Sequence, residues 1–157
     1  MLSVIVVLLE IERMLPPLHF FPPNFKLGLS NIIIMFAIFF IGAKDAFLLG
    51  ILKAFFNMLI RGPIGGMLSL SGGMASIAII AIFSILFKQK ISLVSLSIFG
   101  ALFHNIGQLV MASFILETPY MIFGFIPALL VAGVVLGTLT GISATNIMPI
   151  FKKIYTK

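Results

Sequence analysis

An all-α membrane protein, built as a bundle of about six transmembrane helices, is the fold class this sequence predicts, and three observations predict it. Hydrophobic residues make up 61% of the 157 residues and charged residues only 9%, a balance outside the range of soluble globular domains. Mean hydropathy is +1.28. Long apolar runs alternate with short breaks that hold proline, glycine or charge, the pattern of membrane spans and their turns. At roughly 20 residues per span there is room for about six crossings and none for a separate soluble domain, so residues 1–157 are expected to form one integral membrane domain.

The first apolar segment, about Leu2 to Leu15, opens as MLSVIVVLL. It lacks a basic leading region and a small-residue cleavage site, and its apolar pattern continues through Glu10, Glu12 and Arg13. It therefore reads as a span of the mature protein and not as a signal peptide. The proline-rich stretch PPLHFFPPNF, Pro16 to Phe25, stops it, because proline lacks the amide a helix interior needs. A second segment, Leu27 to Ile41, opens with KLGLSN, which sets Lys26, Ser30 and Asn31 at its outer end, and Gly42 to Lys44 close it. The third, Asp45 to Ile60, and the fourth, Met67 to Phe87, are separated by RGPIGG, Arg61 to Gly66. Segments two and three are short for a full crossing. The fifth, Ile91 to Leu116, follows the charged KQK, and the sixth, Tyr120 to Ile142, follows ETP.

Taken alternately, the breaks place Lys44, Lys88, Lys90, Lys152, Lys153 and Lys157 on one side and Arg13, Lys26 and Arg61 on the other. The lysine-rich side is expected to be cytoplasmic, with both termini inside. The net charge of +6 is thus spent on orientation, and nucleic acid is not an expected partner. The chain has no cysteine, which excludes disulfides, thiolate metal sites and cysteine nucleophiles. Small residues mark helix contacts: Gly133, Gly137 and Gly141 are spaced by four, and Gly65, Ser69, Gly72, Gly73 and Ser76 line the start of segment four.

The polar residues inside these spans carry the functional reading. KAFFNMLIRG sets Lys53, Asn57 and Arg61 four apart, and four residues turn a helix through about 400°, so the three share a stripe that drifts about 40° per step. An ionised side chain at mid-bilayer costs roughly 2.5 to 3.5 kcal/mol on insertion scales, so it must face protein, water or a counterion. In FGALFHNIGQLV, His104 and Gln108 share a face that Asn105 borders. With Glu10 of the first segment and Asn31 of the second, these groups are expected to converge in a common interior. Substrate-binding candidates are Lys53, Asn57, Arg61, His104, Asn105, Gln108, Asn31 and Glu10. Such an interior suits a small molecule with an acidic or phosphorylated end and an apolar body, gripped bidentately by Arg61 and by Lys53 as a point charge. Phe20, Phe21, Phe25, Phe55, Phe56 and Phe103 are candidate walls. The competing structural reading pairs Glu10 with Lys53 or Arg61 and lets the amides and His104 knit helices together.

KLGLSNIIIMFAIFFIGAKDAFLLGILKAFFN, then SLSGGMAS, GALFHNIGQLVMA and GVVLGTLTG, resemble the family called heptaprenyl diphosphate synthase component I, also labelled the Gx transporter family, over about Leu9 to Gly141. KLGLSN and FHNIGQ are the most specific pieces. The family is similar in turn to the substrate-binding S-components of energy-coupling factor transporters. That similarity implies a six-helix protein of a prokaryotic-type cell membrane, both termini cytoplasmic, which takes a vitamin-like or isoprenoid molecule from outside and is energised by partner transmembrane and ATPase subunits. S-components commonly dock through small residues spaced by four in the first helix. LSVIVVLLEIERML offers only Ser3, so docking could use Gly133, Gly137 and Gly141 instead, or the mature start could be longer, which leaves the partner open.

Catalysis is not expected of this chain alone. Prenyl chain elongation needs clustered aspartates that hold magnesium against a diphosphate, and the chain has one aspartate, Asp45, and three glutamates. No phosphate-binding loop is present to drive pumping. No resident metal or cofactor is expected. The expected function is an S-component-like binding subunit. The alternatives are a non-catalytic membrane component of polyprenyl diphosphate or quinone metabolism, partnered with a prenyl synthase subunit, and a structural membrane protein.

Overall fold

The computed structural model describes residues 6, 7, 10, 11, 29–87, 90–118 and 120–155. Among these it is helical throughout, in the order α1 (Leu29–Phe40), α2 (Ala43–Leu86), α3 (Leu93–Ile115) and α4 (Met121–Tyr155). Residues 6, 7, 10 and 11 are helical as well. The rest of the expected first segment and the proline-rich stretch lie outside the described residues.

Six separate helices are therefore not what the structure shows. The main correction concerns the expected third and fourth segments, which form the single 44-residue element α2. Straight, it would run about 66 Å, twice the hydrocarbon thickness of a bilayer. It does not run straight. Gly62 breaks it with φ 80° and ψ 176°, and Pro63 follows. That backbone region is open essentially to glycine, and a proline opening the next arm gives up an amide with no helical partner in any case. The arms then fold back on each other. A Cβ built on Gly66 would meet the Met58 Cβ at 2.6 Å, and one on Gly50 would meet Ile77 Cδ1 at 2.6 Å. Neither contact is possible along a straight helix. The sequence break RGPIGG thus marks a hairpin whose turn is far tighter than six residues.

α1 joins the first arm through Gly42, at φ 129°, whose amide bonds back to the Ala37 carbonyl at 2.9 Å, the usual way of closing a helix C-terminus. Ile34, Ala37, Ala46 and Ile77 form a buried cluster where α1 and both arms of α2 meet. α3 starts at Ser92, whose hydroxyl accepts from the Ser95 amide at 3.0 Å, a side-chain N-cap. It runs antiparallel to the second arm of α2, with Gly107 over the Ser71 carbonyl and Gly100 over Ile80.

α4 packs antiparallel on α3 through the glycine ladder. Cβ atoms built on Gly133, Gly137 and Gly141 would lie 2.7 Å from Leu102 Cδ2, 2.6 Å from Ile98 Cα and 2.7 Å from Val94 Cα. The ladder is used inside the bundle, in keeping with the reading of these glycines as helix contacts. α4 also runs on past the expected end at Ile142 to Tyr155, crossing Pro149. Its Ser143 and Thr145 hydroxyls bond back to the Leu139 and Gly141 carbonyls, at 2.9 and 3.1 Å, so these polar groups are satisfied within their own helix.

Three of these helices, Ala43–Leu86, Leu93–Ile115 and Gly124–Pro149, are long and apolar enough to cross a membrane. Large apolar side chains, among them Leu59, Phe114 and Val131, stand exposed on the outside, while buried positions include Lys53, Asn57, Ser69, Ser76 and Ser97. Apolar outside and polar within is the arrangement hydrocarbon solvent selects, and the chain is an integral membrane protein.

The glycine ladder gives a direct test. Gly137→Val should lower the melting temperature in detergent, because its side chain would strike the Ile98 backbone, whereas Gly73→Ala, with open space at its Cβ, should be neutral or raise it, alanine being the better helix former by about 1 kcal/mol. Equal melting temperatures for the two variants would show that the α3 and α4 backbones do not touch.

Candidate functional site

Lys53 stands near the middle of the first arm of α2 and is 4% exposed. It donates from Nζ to Asn31 Oδ1 at 2.6 Å. Asn31 was expected at the outer end of its helix. Antiparallel pairing of α1 with the arm, with Ala37 beside Ala46, brings it level with Lys53 instead, and the part of segment two that would reach outward lies outside the described residues.

One turn nearer the hairpin tip, Asn57 is 2% exposed and donates from Nδ2 to Ser69 Oγ at 2.8 Å. This bond ties the two arms together across the turn. Ser69 is a site neighbour that the stripe argument did not select. Its signal was present in the serine- and glycine-rich start of segment four, which reads first as a packing seam. Arg61, half-buried, closes the stripe at the tip, where its side chain lies over Gly65. Glu10 is half-buried and helical. Glu10, Lys53, Asn57 and Arg61 all have further hydrogen-bonding or electrostatic contacts.

His104 comes to this interior from the middle of α3. It lies within electrostatic reach of Lys53. Its Nε2 lies 3.2 Å from Gln108 Nε2. An amide nitrogen only donates, so the ring nitrogen accepts and the imidazole proton sits on Nδ1. That Nδ1 is buried against Gly72, where a Cβ would come within 2.9 Å of it, and it has no partner in hydrogen-bonding geometry among the described residues. Gly72 is thus required for His104 to fit at all.

Asn105 goes elsewhere. It donates from Nδ2 to the Leu129 carbonyl at 3.1 Å, on the α4 side of α3, and borders a small apolar groove of about 120 Å³ between α3 and α4. One residue along a helix is about 100° of rotation, enough to carry it from the His104 face to the opposite seam. Of the aromatic walls suggested by sequence, Phe55 and Phe103 are 55% and 38% exposed and face outward, and Phe56 packs edge-on against Phe55 with ring centroids 6.4 Å apart. Phe20, Phe21 and Phe25 lie outside the described residues.

The site is therefore a mid-span polar core of Asn31, Lys53, Asn57, Ser69, His104 and Gln108, with Arg61 beyond it toward the hairpin tip. It is built from polar side chains on four helical legs, α1, the two arms of α2 and α3, at a depth where each polar group must find a partner within the bundle. A family model described as heptaprenyl diphosphate synthase component I matches residues 1–147. The chain belongs to the heptaprenyl diphosphate synthase component I family. No curated protein and no solved structure matches it. The family's description names a component of a synthase, which points to a membrane protein that works in association with another subunit. Asp45, the one aspartate, is exposed in the first turn of α2, far along the arm from Lys53.

A double-mutant cycle of Asn57→Ala and Ser69→Ala should give a coupling of about 0.6 to 1.7 kcal/mol in unfolding measurements in a membrane mimetic, the range for interhelical bonds in bilayers. Additive single effects would place the two side chains apart.

Proposed function

We propose that the chain is the membrane-embedded binding subunit of a larger assembly, of the S-component kind. It takes a small molecule with an acidic or phosphorylated end and an apolar body into the polar core around Lys53, and a partner ATPase complex supplies the energy for uptake. The observation that carries this reading is the joint burial of Lys53, Asn31 and His104 at mid-span. A structural brace in hydrocarbon needs one or two matched hydrogen bonds. Here an ammonium, an imidazole and three side-chain amides share one interior, an assembly dominated by donors, which is what an oxyanion head group needs.

The direction of capture rests on charge. Lys44 and Lys90 are exposed at the end of the bundle opposite the hairpin tip, and with Lys88, Lys152 and Lys153 they favour that end as cytoplasmic. The tip at Gly62, with Arg61 above the polar core, then faces outward and is the approach for ligand.

A second reading is favoured by the family description: the same core holds an isoprenoid diphosphate for a separate prenyl synthase, and this chain is its non-catalytic membrane partner. Metal-assisted ionisation of a diphosphate calls for carboxylate clusters, and the chain's four acidic residues are too few and too scattered in sequence to supply them, so chemistry would belong to the partner. In both readings the apolar body of the ligand lies among the helices or against lipid.

Mass spectrometry of gently solubilised protein should find a copurified vitamin-like compound on the first reading and a prenyl phosphate on the second; protein that is consistently empty would leave only the structural role. Pull-down should recover ATPase subunits or a prenyl synthase, respectively. Lys53→Met and Arg61→Met should each weaken binding of the copurified compound by at least about tenfold, the worth of a charge-assisted hydrogen bond, while the protein still inserts and elutes as a single species. Unchanged binding in both variants would reject the cationic site.

A further inference from the structure

The buried face of His104 carries information about the ligand that the charge argument does not. Gln108, one turn along α3, donates to Nε2 at 3.2 Å and so fixes the ring proton on Nδ1. The resulting N–H is sealed between α3 and the second arm of α2, where it meets only the Gly72 backbone and does so outside good hydrogen-bond geometry. Buried unpaired donors are rare and each calls for an explanation. Other polar side chains at this depth do have partners: Asn57 reaches Ser69, Ser71 reaches the Gly107 carbonyl, and Ser97 reaches Thr140. The exception is the imidazole that lies in the field of Lys53.

We propose that His104, held as the Nδ1–H tautomer by Gln108, is the head-group selector of the polar core and donates, together with Lys53, to an oxygen of a phosphate or carboxylate on the ligand. This rests on the binding-subunit reading above and deepens it by naming the chemistry that is recognised. An amine or ammonium head is excluded for two reasons. It would set a donor against the Nδ1–H, and it would set a positive charge beside Lys53 at a depth where screening is weak. An alcohol accepts a hydrogen bond but brings no charge, so it binds in between. Because Nδ1 is sealed against Gly72, the oxygen reaches it only when the ring turns or the α2–α3 seam widens. Ligand binding is therefore coupled to movement at that seam and not at the glycine ladder of α3 and α4.

The probes are farnesyl diphosphate, palmitate, farnesol and farnesylamine, titrated into the full chain in phosphatidylcholine nanodiscs. These share an apolar body, and the first two distinguish phosphate from carboxylate as the source of the oxyanion. Wild-type protein should bind at least one oxyanion probe about tenfold or more tightly than farnesylamine, with farnesol between. His104→Leu should remove that preference. His104→Asn, whose amide nitrogen can stand where Nδ1 stands, should keep most of it. Histidine-selective nitrogen NMR on a His19→Gln background, which leaves His104 as the single histidine, should show the Nδ1–H tautomer and a shift of its proton when the preferred oxyanion is added. Gln108→Leu should release the tautomer.

Two failures are distinguishable. If wild-type protein binds none of the four probes and carries no copurified compound, the binding-subunit reading falls and this assignment with it. If an oxyanion binds but His104→Leu binds it equally well, or farnesylamine binds as tightly as the oxyanions, or the proton is found on Nε2, only the His104 assignment is overturned.

Discussion

The turn at Gly62 is the constraint on which the rest of the structure depends. A 44-residue apolar helix could not stay in one bilayer unfolded upon itself, and the fold at Gly62 does more than shorten it. It sets the polar stripe of the first arm against the serine- and glycine-rich face of the second, so that Asn57 meets Ser69 and Gly50 meets Ile77. Small side chains on the second arm leave room for the long ones on the first. Were that face leucine-rich, the arms would stand farther apart, and Lys53 and Asn57 would be turned toward lipid at a cost of several kcal/mol. One glycine with a positive φ therefore links backbone geometry to the burial of the candidate site.

From that hairpin the site follows by antiparallel pairing. α1 returns along the first arm and carries Asn31 to the level of Lys53, while α3 returns along the second and carries His104 to the same level from the other side. Lys53 and His104 sit near the middle of their own legs and Asn31 near the start of α1, so antiparallel pairing brings together residues that are far apart in sequence. The close approach of α3 needs glycine at Gly72, Gly100 and Gly107. What reads along the chain as a scatter of small residues is the complement, in volume, of the polar side chains opposite.

Much of this was legible in the sequence because hydrocarbon permits few structures. The bounds of α1 and α3 agree with the sequence to within about two residues, since glycine, charge and a serine cap end them locally. The stripe of Lys53 and Asn57 was legible from spacing alone. The rest was hidden for physical reasons. Gly62 and Pro63 signal a break, yet whether two helices part or abut depends on a dihedral that a sequence does not display. Asn31 could be assigned a depth only once the pairing of α1 with α2 was known. Asn105, adjacent to His104, was placed near the same face because 100° of rotation is too coarse to predict when either of two neighbouring helices can accept its amide, and Leu129 offers a carbonyl on the far one. α4 runs past the apolar segment that ends at Ile142, because the serine and threonine hydroxyls beyond it bond to the preceding turn of the same helix.

The two sides of α3 differ in a way that bears on how such a protein works. On the α4 side the backbones touch along the glycine ladder, Ser97 and Thr140 share a hydrogen bond at 2.7 Å, and Asn105 holds the Leu129 carbonyl. Separating these helices would expose backbone, two hydroxyls and an amide to hydrocarbon together, so α3 and α4 behave as one rigid pair. On the α2 side the contact is also close, but it leaves the His104 Nδ1 proton without an acceptor. Opening either seam has a cost, since on the α2 side it would break the Ser71 bond to the Gly107 carbonyl and on the α4 side the Ser97–Thr140 and Asn105–Leu129 bonds.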